Sequence, residues 1–110
     1  VSERVRRRVG VDFPNQVDQV AGALARLTDE VLPREDCFSA AAERIQVAVL
    51  IVAQRHLGKL DEAMALGRMD WRDLLVAASL ADDGWEQLVE TELAPAPAPH
   101  IWVTRRRPRT

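Results

Sequence analysis

Residues 40–56 read AAAERIQVAVLIVAQRH, and their spacing decides the fold. Ala41, Ile45, Ala48, Val49, Val52 and His56 recur at helical spacing and make one continuous face. Val47, Leu50 and Ile51 carry the apolar surface most of the way round. A helix that is apolar on nearly every side is one enclosed by other elements. Val and Ile also favour strands, but seventeen residues exceed a usual strand, and Ala and Gln interrupt the run. The stretch predicts a buried central helix about 25 Å long.

Toward the N-terminus, Val17, Val20, Ala21, Leu24, Leu27 and Val31 form an amphipathic stripe, so residues 14–31 are expected to be helical. Pro14 suits a first helical turn because its φ is preset, and Pro33 stops the helix. Gly22 costs such a helix about 1 kcal/mol relative to Ala, which marks it as a place where another backbone comes close. The connection PREDCFS, residues 33–39, offers Asp36 or Ser39 as a cap for the central helix. Residues 1–11 read as a basic arm. Val5 and Val9 could line a short helix there, with Arg4, Arg6, Arg7 and Arg8 outside it and Gly10 ending the turn.

Toward the C-terminus, Gly58 sits where a left-handed cap would close the central helix. Leu60, Ala63, Met64 and Gly67 share a face of a short helix, with Asp61 and Glu62 in its first turn. Asp70 can cap the next helix, whose inward stripe is Trp71, Leu74, Leu75 and Ala78. Asp82, Asp83 and Gly84 break it. Asp83 would cap the last helix, with Trp85, Leu88, Val89 and Leu93 inward. Each Trp could bury on the order of 200 Å² and pin a short helix. The fold class expected is all-α: four or five helices over residues 12–93, bundled around the central one. Beyond Leu93 the composition changes. APAPAP, residues 94–99, predicts an extended spacer of about 19 Å. HIWVT and RRRPRT complete a tail over residues 94–110 with an apolar tip and a cationic end.

The stretch DWRDLLVAASLADDGW, residues 70–85, resembles a segment of small, uncharacterised all-α bacterial proteins. The resemblance spans Ile45–Leu93. It implies a helical fold, and it implies no activity and no site residues.

With 110 residues and 47% hydrophobic content, one domain with a real core is expected. Cys37 is the single cysteine, so no internal disulfide can form, and a reducing cytoplasm is the expected compartment. The longest apolar run, Val47–Ala53, falls well short of the roughly twenty residues a membrane span needs, so no membrane association is expected. The basic start VSERVRRRVG is not followed by the apolar segment of a signal peptide. Net charge is −2, unevenly spread: +3 over residues 1–9, +4 over residues 100–110, and −9 over the body between them.

Candidate chemistry is sparse. Residues 59–80 have the outline of a helix-turn-helix, with Ala63 and Gly67 at the small-residue spacing of its turn. In that register, however, Glu62 and Asp73 fall at inward positions. Residues 59–93 carry 3 basic and 9 acidic side chains, a surface that repels a duplex. No Ser-His-acid arrangement, CxxC, HExxH or Gly-rich phosphate loop occurs. His56 reads as a helix C-terminal residue favoured by the dipole, and Cys37, beside Glu35 and Asp36, as an unactivated thiol. Asp83, Glu86 and Glu90 share a face, but in an order unlike a calcium loop. No cofactor and no metal are expected. The expected function is a non-enzymatic protein–protein interaction module. Its binding residues would be Ile101, Trp102, Val103, Arg105, Arg106 and Arg107, docking on an acidic helical body, its own or a neighbour's. The alternative is an accessory nucleic-acid-binding protein that uses its Arg-rich ends, with Trp102 as a stacking group.

Overall fold

The computed structural model describes residues 1–32 and 40–94, and six helices lie within them. These are α1 (Glu3–Asp12), α2 (Val17–Val31), α3 (Ala40–Ala53), α4 (Leu57–Met69), α5 (Trp71–Ala77) and α6 (Trp85–Leu93). No strand occurs among the described residues, and no helix there is long and apolar enough to cross a membrane. The fold is all-α.

Helix α3 is the axis. Six consecutive residues, Ile45–Leu50, are buried, so no side of this segment faces solvent. All five other helices pack against it. Two polar side chains are buried at its contact with α2, and they are bonded to one another: Gln46 Nε2 donates to Thr28 Oγ1 at 3.3 Å. A buried amide without such a partner would cost several kcal/mol.

The inward stripes of α2, α4 and α5 follow the predicted spacing, except that Val17 and Val31 at the ends of α2 and Trp71 at the start of α5 are only half-buried. Val20, Ala21, Leu24 and Leu27 are buried on α2, Leu60, Ala63, Met64 and Gly67 on α4, and Leu74 and Leu75 on α5. Trp71 and Trp85 are half-buried and pack against the core from its edge.

The N-terminal segment belongs to that same core. Ser2 caps α1 by accepting from Val5 N–H at 3.3 Å, and Val5 and Val9 are fully buried. Helix α1 runs through Gly10 to Asp12 instead of stopping at the glycine. Pro14 lies in the turn before α2, which starts three residues later at Val17.

Helix ends depart from the sequence reading in a consistent way. The reversal after α3 is made by Gln54 and Arg55, at φ 50° and 67°, not by Gly58. Gly58 is exposed in the first turn of α4, and His56 precedes that helix as an exposed residue. Asp61 and Glu62 consequently fall in the second turn of a 13-residue helix. Ser79, at φ 62°, occupies the left-handed position after α5. Leu80 N–H bonds to Leu75 O at 2.8 Å and Ser79 N–H to Val76 O at 3.1 Å, a Schellman closure built without glycine. A left-handed non-glycine residue costs roughly 1–2 kcal/mol, which the packed flanks offset.

Asp70 caps α5 as expected, accepting from Arg72 N–H at 3.0 Å, and that bond holds its carboxyl below the usual range. Gly84, not Asp83, precedes α6. The close approach expected at Gly22 is found at Gly67. A methyl group there would lie 3.2 Å from Leu74 Cδ2 and 3.4 Å from Leu27 Cδ2, whereas at Gly22 it would meet only the tip of Arg26.

Candidate functional site

The basic stretch of α1 lies along the acidic side of α6 and α3. Arg4 is the centre of this seam. Its NH2 and Nε donate to the two oxygens of Glu43 at 2.7 and 3.1 Å, and its NH1 donates to Glu90 Oε2 at 2.7 Å. Ser2 Oγ adds a bond to Glu43 Oε2 at 2.7 Å. The Arg4 bonds hold the Glu43 carboxyl below its ordinary value against the opposing effect of partial burial, with Ser2 assisting. The same two acids raise the pKa of Arg4. One turn on, Arg8 bonds Glu92 Oε1 at 2.9 Å and the carboxylate of Asp12 at 3.1 Å. Burial acts to lower the Arg8 pKa, and Glu92 and Asp12 overcome it. Arg6 pairs with Asp18.

Beside this seam, Arg4, Ala40, Glu43, Trp85, Glu86, Val89 and Glu90 line a groove of about 270 Å³. Its floor combines a half-buried indole with Val89, and its rim holds three carboxylates against one guanidinium. The Arg44 guanidinium lies 4.5 Å over the Trp85 ring and anchors the indole. Glu86, Asp82 and Asp83 are exposed and have no ion-pair partner among the described residues. The groove is therefore acidic, aromatic and incompletely neutralised. Such a surface can hold a cation beside an apolar contact.

A second cleft, of about 400 Å³, opens at the other end of α6 between Arg7, Arg8, Val11, Arg55, Thr91, Glu92, Leu93 and Ala94. Arg7 and Arg8 cap the C-terminus of α6, donating to the carbonyls of Leu93 at 3.1 Å and Glu92 at 2.7 Å.

The binding residues expected from the sequence, Ile101, Trp102, Val103, Arg105, Arg106 and Arg107, lie outside the described residues, as do Cys37 and His100. Glu62 and Asp73, which a helix-turn-helix register would place inward, are exposed. Of the acids sharing a face on α6, Glu90 is engaged by Arg4, and no group of three metal-ligating side chains occurs among the described residues. The Arg4 network and the Arg44 stack escaped sequence reasoning because their partners are separated by about forty residues or more and follow no periodicity.

Comparison with protein-family models, with curated proteins and with solved structures finds no match for this chain.

Proposed function

We propose that the protein is a non-enzymatic interaction module whose acidic helical body receives a cationic segment, its own tail or that of a second copy. The observation that carries this reading is the groove around Trp85, where Glu43, Glu86 and Glu90 face one arginine. The tail is its chemical complement, with Arg105, Arg106, Arg107 and Arg109 following Ile101, Trp102 and Val103. Exposed ion pairs contribute only about 0–1 kcal/mol each, so the apolar tip supplies the anchor and the arginines the orientation. The spacer's reach of about 19 Å exceeds the roughly 14 Å length of α6, so a tail leaving at Ala94 can return to Trp85.

The reading through nucleic acid is weaker. Arg4, Arg6 and Arg8 are engaged by Glu43, Glu90, Asp18, Asp12 and Glu92, which leaves few free cations at the N-terminal end.

The test compares the full chain with Glu86→Lys and Trp102→Ala, following hydrogen exchange over residues 100–107 and mass by light scattering. Slowed exchange at low salt, lost in both variants, is expected, and the mass distinguishes the chain's own body from a neighbour's. A monomer whose residues 100–107 exchange freely in every condition would overturn the proposal.

A further inference from the structure

The cleft at the C-terminal end of α6 has the opposite character to the Trp85 groove. Three guanidinium groups line it, from Arg7 and Arg8 on α1 and from Arg55 in the turn after α3. Their protein partners do not exhaust them. Arg8 is neutralised twice, by Glu92 and by the buried carboxylate of Asp12. Arg55 reaches Asp12 only at 3.5 Å, and its side chain is 70% exposed. Arg7 meets a carbonyl, Leu93 O, and no carboxylate among the described residues. A guanidinium offers five donors in a fixed fork, so most of those of Arg7 and Arg55 remain unused. The turn presents Arg55 to this cleft through two consecutive left-handed residues, a conformation that non-glycine side chains resist. Val11, exposed at the C-terminal end of α1, adds an apolar wall, and a volume of about 400 Å³ falls in the range of small-molecule sites.

We infer that this cleft binds a small organic anion through a carboxylate or phosphate headgroup held between Arg7 and Arg55, with Val11 against its apolar part. Arg8 acts as the positioning residue, since its bonds to Glu92 tie α1 to α6 and its bond to Asp12, one turn on in α1, holds its guanidinium in place. Two planar forks converging on one oxyanion are the geometry in which arginine outperforms lysine. The site lies at the other end of α6 from the Trp85 groove and stands whether or not the tail docks there.

The test titrates the full chain with inorganic phosphate, phenyl phosphate, acetate and benzoate at constant ionic strength, reading the arginine side-chain resonances. Saturable binding at about 1 mM or tighter is expected for at least one probe, with shifts concentrated at Arg7 and Arg55. Phosphate against acetate assigns the headgroup, and the aromatic probes should bind more tightly than the bare ions. Arg55→Gln and Val11→Glu, both at exposed positions, should each weaken binding at least tenfold, while Arg68→Gln on α4 leaves it unchanged. Arg7→Gln should act likewise, and thermal melting checks that its fold is intact. No saturation by any probe, or equal weakening by Arg68→Gln, would overturn the assignment.

Discussion

Arg44 grips the carbonyl oxygen of Leu80 with two nitrogens, at 2.9 and 2.6 Å. With its guanidinium also lying over Trp85, one side chain of the central helix holds the segment joining α5 to α6 at Leu80 and at its junction with α6. A charge-assisted bond to a part-buried carbonyl contributes about 1.5–3 kcal/mol, and the stacking about 0.5–1 kcal/mol more. Arg44→Ala should therefore lower stability by about 2–4 kcal/mol in urea denaturation. Arg44→Lys keeps the charge but loses the fork, and should recover less than half. A loss under about 0.5 kcal/mol for the alanine variant would show that the segment holds itself.

Gly22 and Gly67, both inside helices, should respond in opposite directions. Gly22→Ala gains helix propensity in open surroundings and is expected to stabilise by about 0.5–1 kcal/mol. Gly67→Val drives a branched side chain into Leu27 and Leu74, and should destabilise by about 2 kcal/mol or more. Thermal melting of both variants is the check. A stabilised Gly67→Val protein would mean that α4 can move away from α2 and α5.

Acid should loosen the α1 seam. In the fold Glu43 titrates below its ordinary value of 4.5, so its contribution is complete above that pH and is lost as pH falls through the lowered value. Stability should decline with acidification below about pH 4.5, and Glu43→Gln should flatten that part of the profile. A profile identical in wild type and variant would remove the Arg4–Glu43 pair as its cause.

The buried stripes of α2, α3, α4 and α5 were legible because apolar side chains at helical spacing have one consistent solution. Helix ends were less so. Glycine is the cheapest left-handed residue, which points to Gly10 and Gly58, yet Gln54, Arg55 and Ser79 take that conformation. Packing of the flanking helices overrides the local preference. Residues 1–11 read as an arm because four arginines mask the pairing of Val5 with Val9. Both valines are buried, and of those arginines Arg4 and Arg8 find acids on α3 and α6. Trp85, Glu86, Val89 and Glu90 of the groove fall within the acidic stretch that composition singled out, while Arg4, Ala40 and Glu43 come from two other helices that no spacing links to it. The cleft between Arg7 and Arg55 left no trace in the sequence, since a turn and two helix ends assemble it.

The seam between the first and last of these helices also imposes an order in time. Arg4 and Glu90 stand 86 residues apart, and so do Arg7 and the Leu93 carbonyl it caps. At synthesis rates of about 5–20 residues per second, α1 waits several seconds on the ribosome before α6 exists. Until then its arginines have no α6 acids to meet, and Val9 has at most the partial shelter of α2 and α3. Closing this seam joins residues 86 apart in the chain, a loop that includes every other helix of the domain. A nascent chain halted before Trp85 would hold its central helix in an unfinished barrel of neighbours, open along the side where α6 belongs.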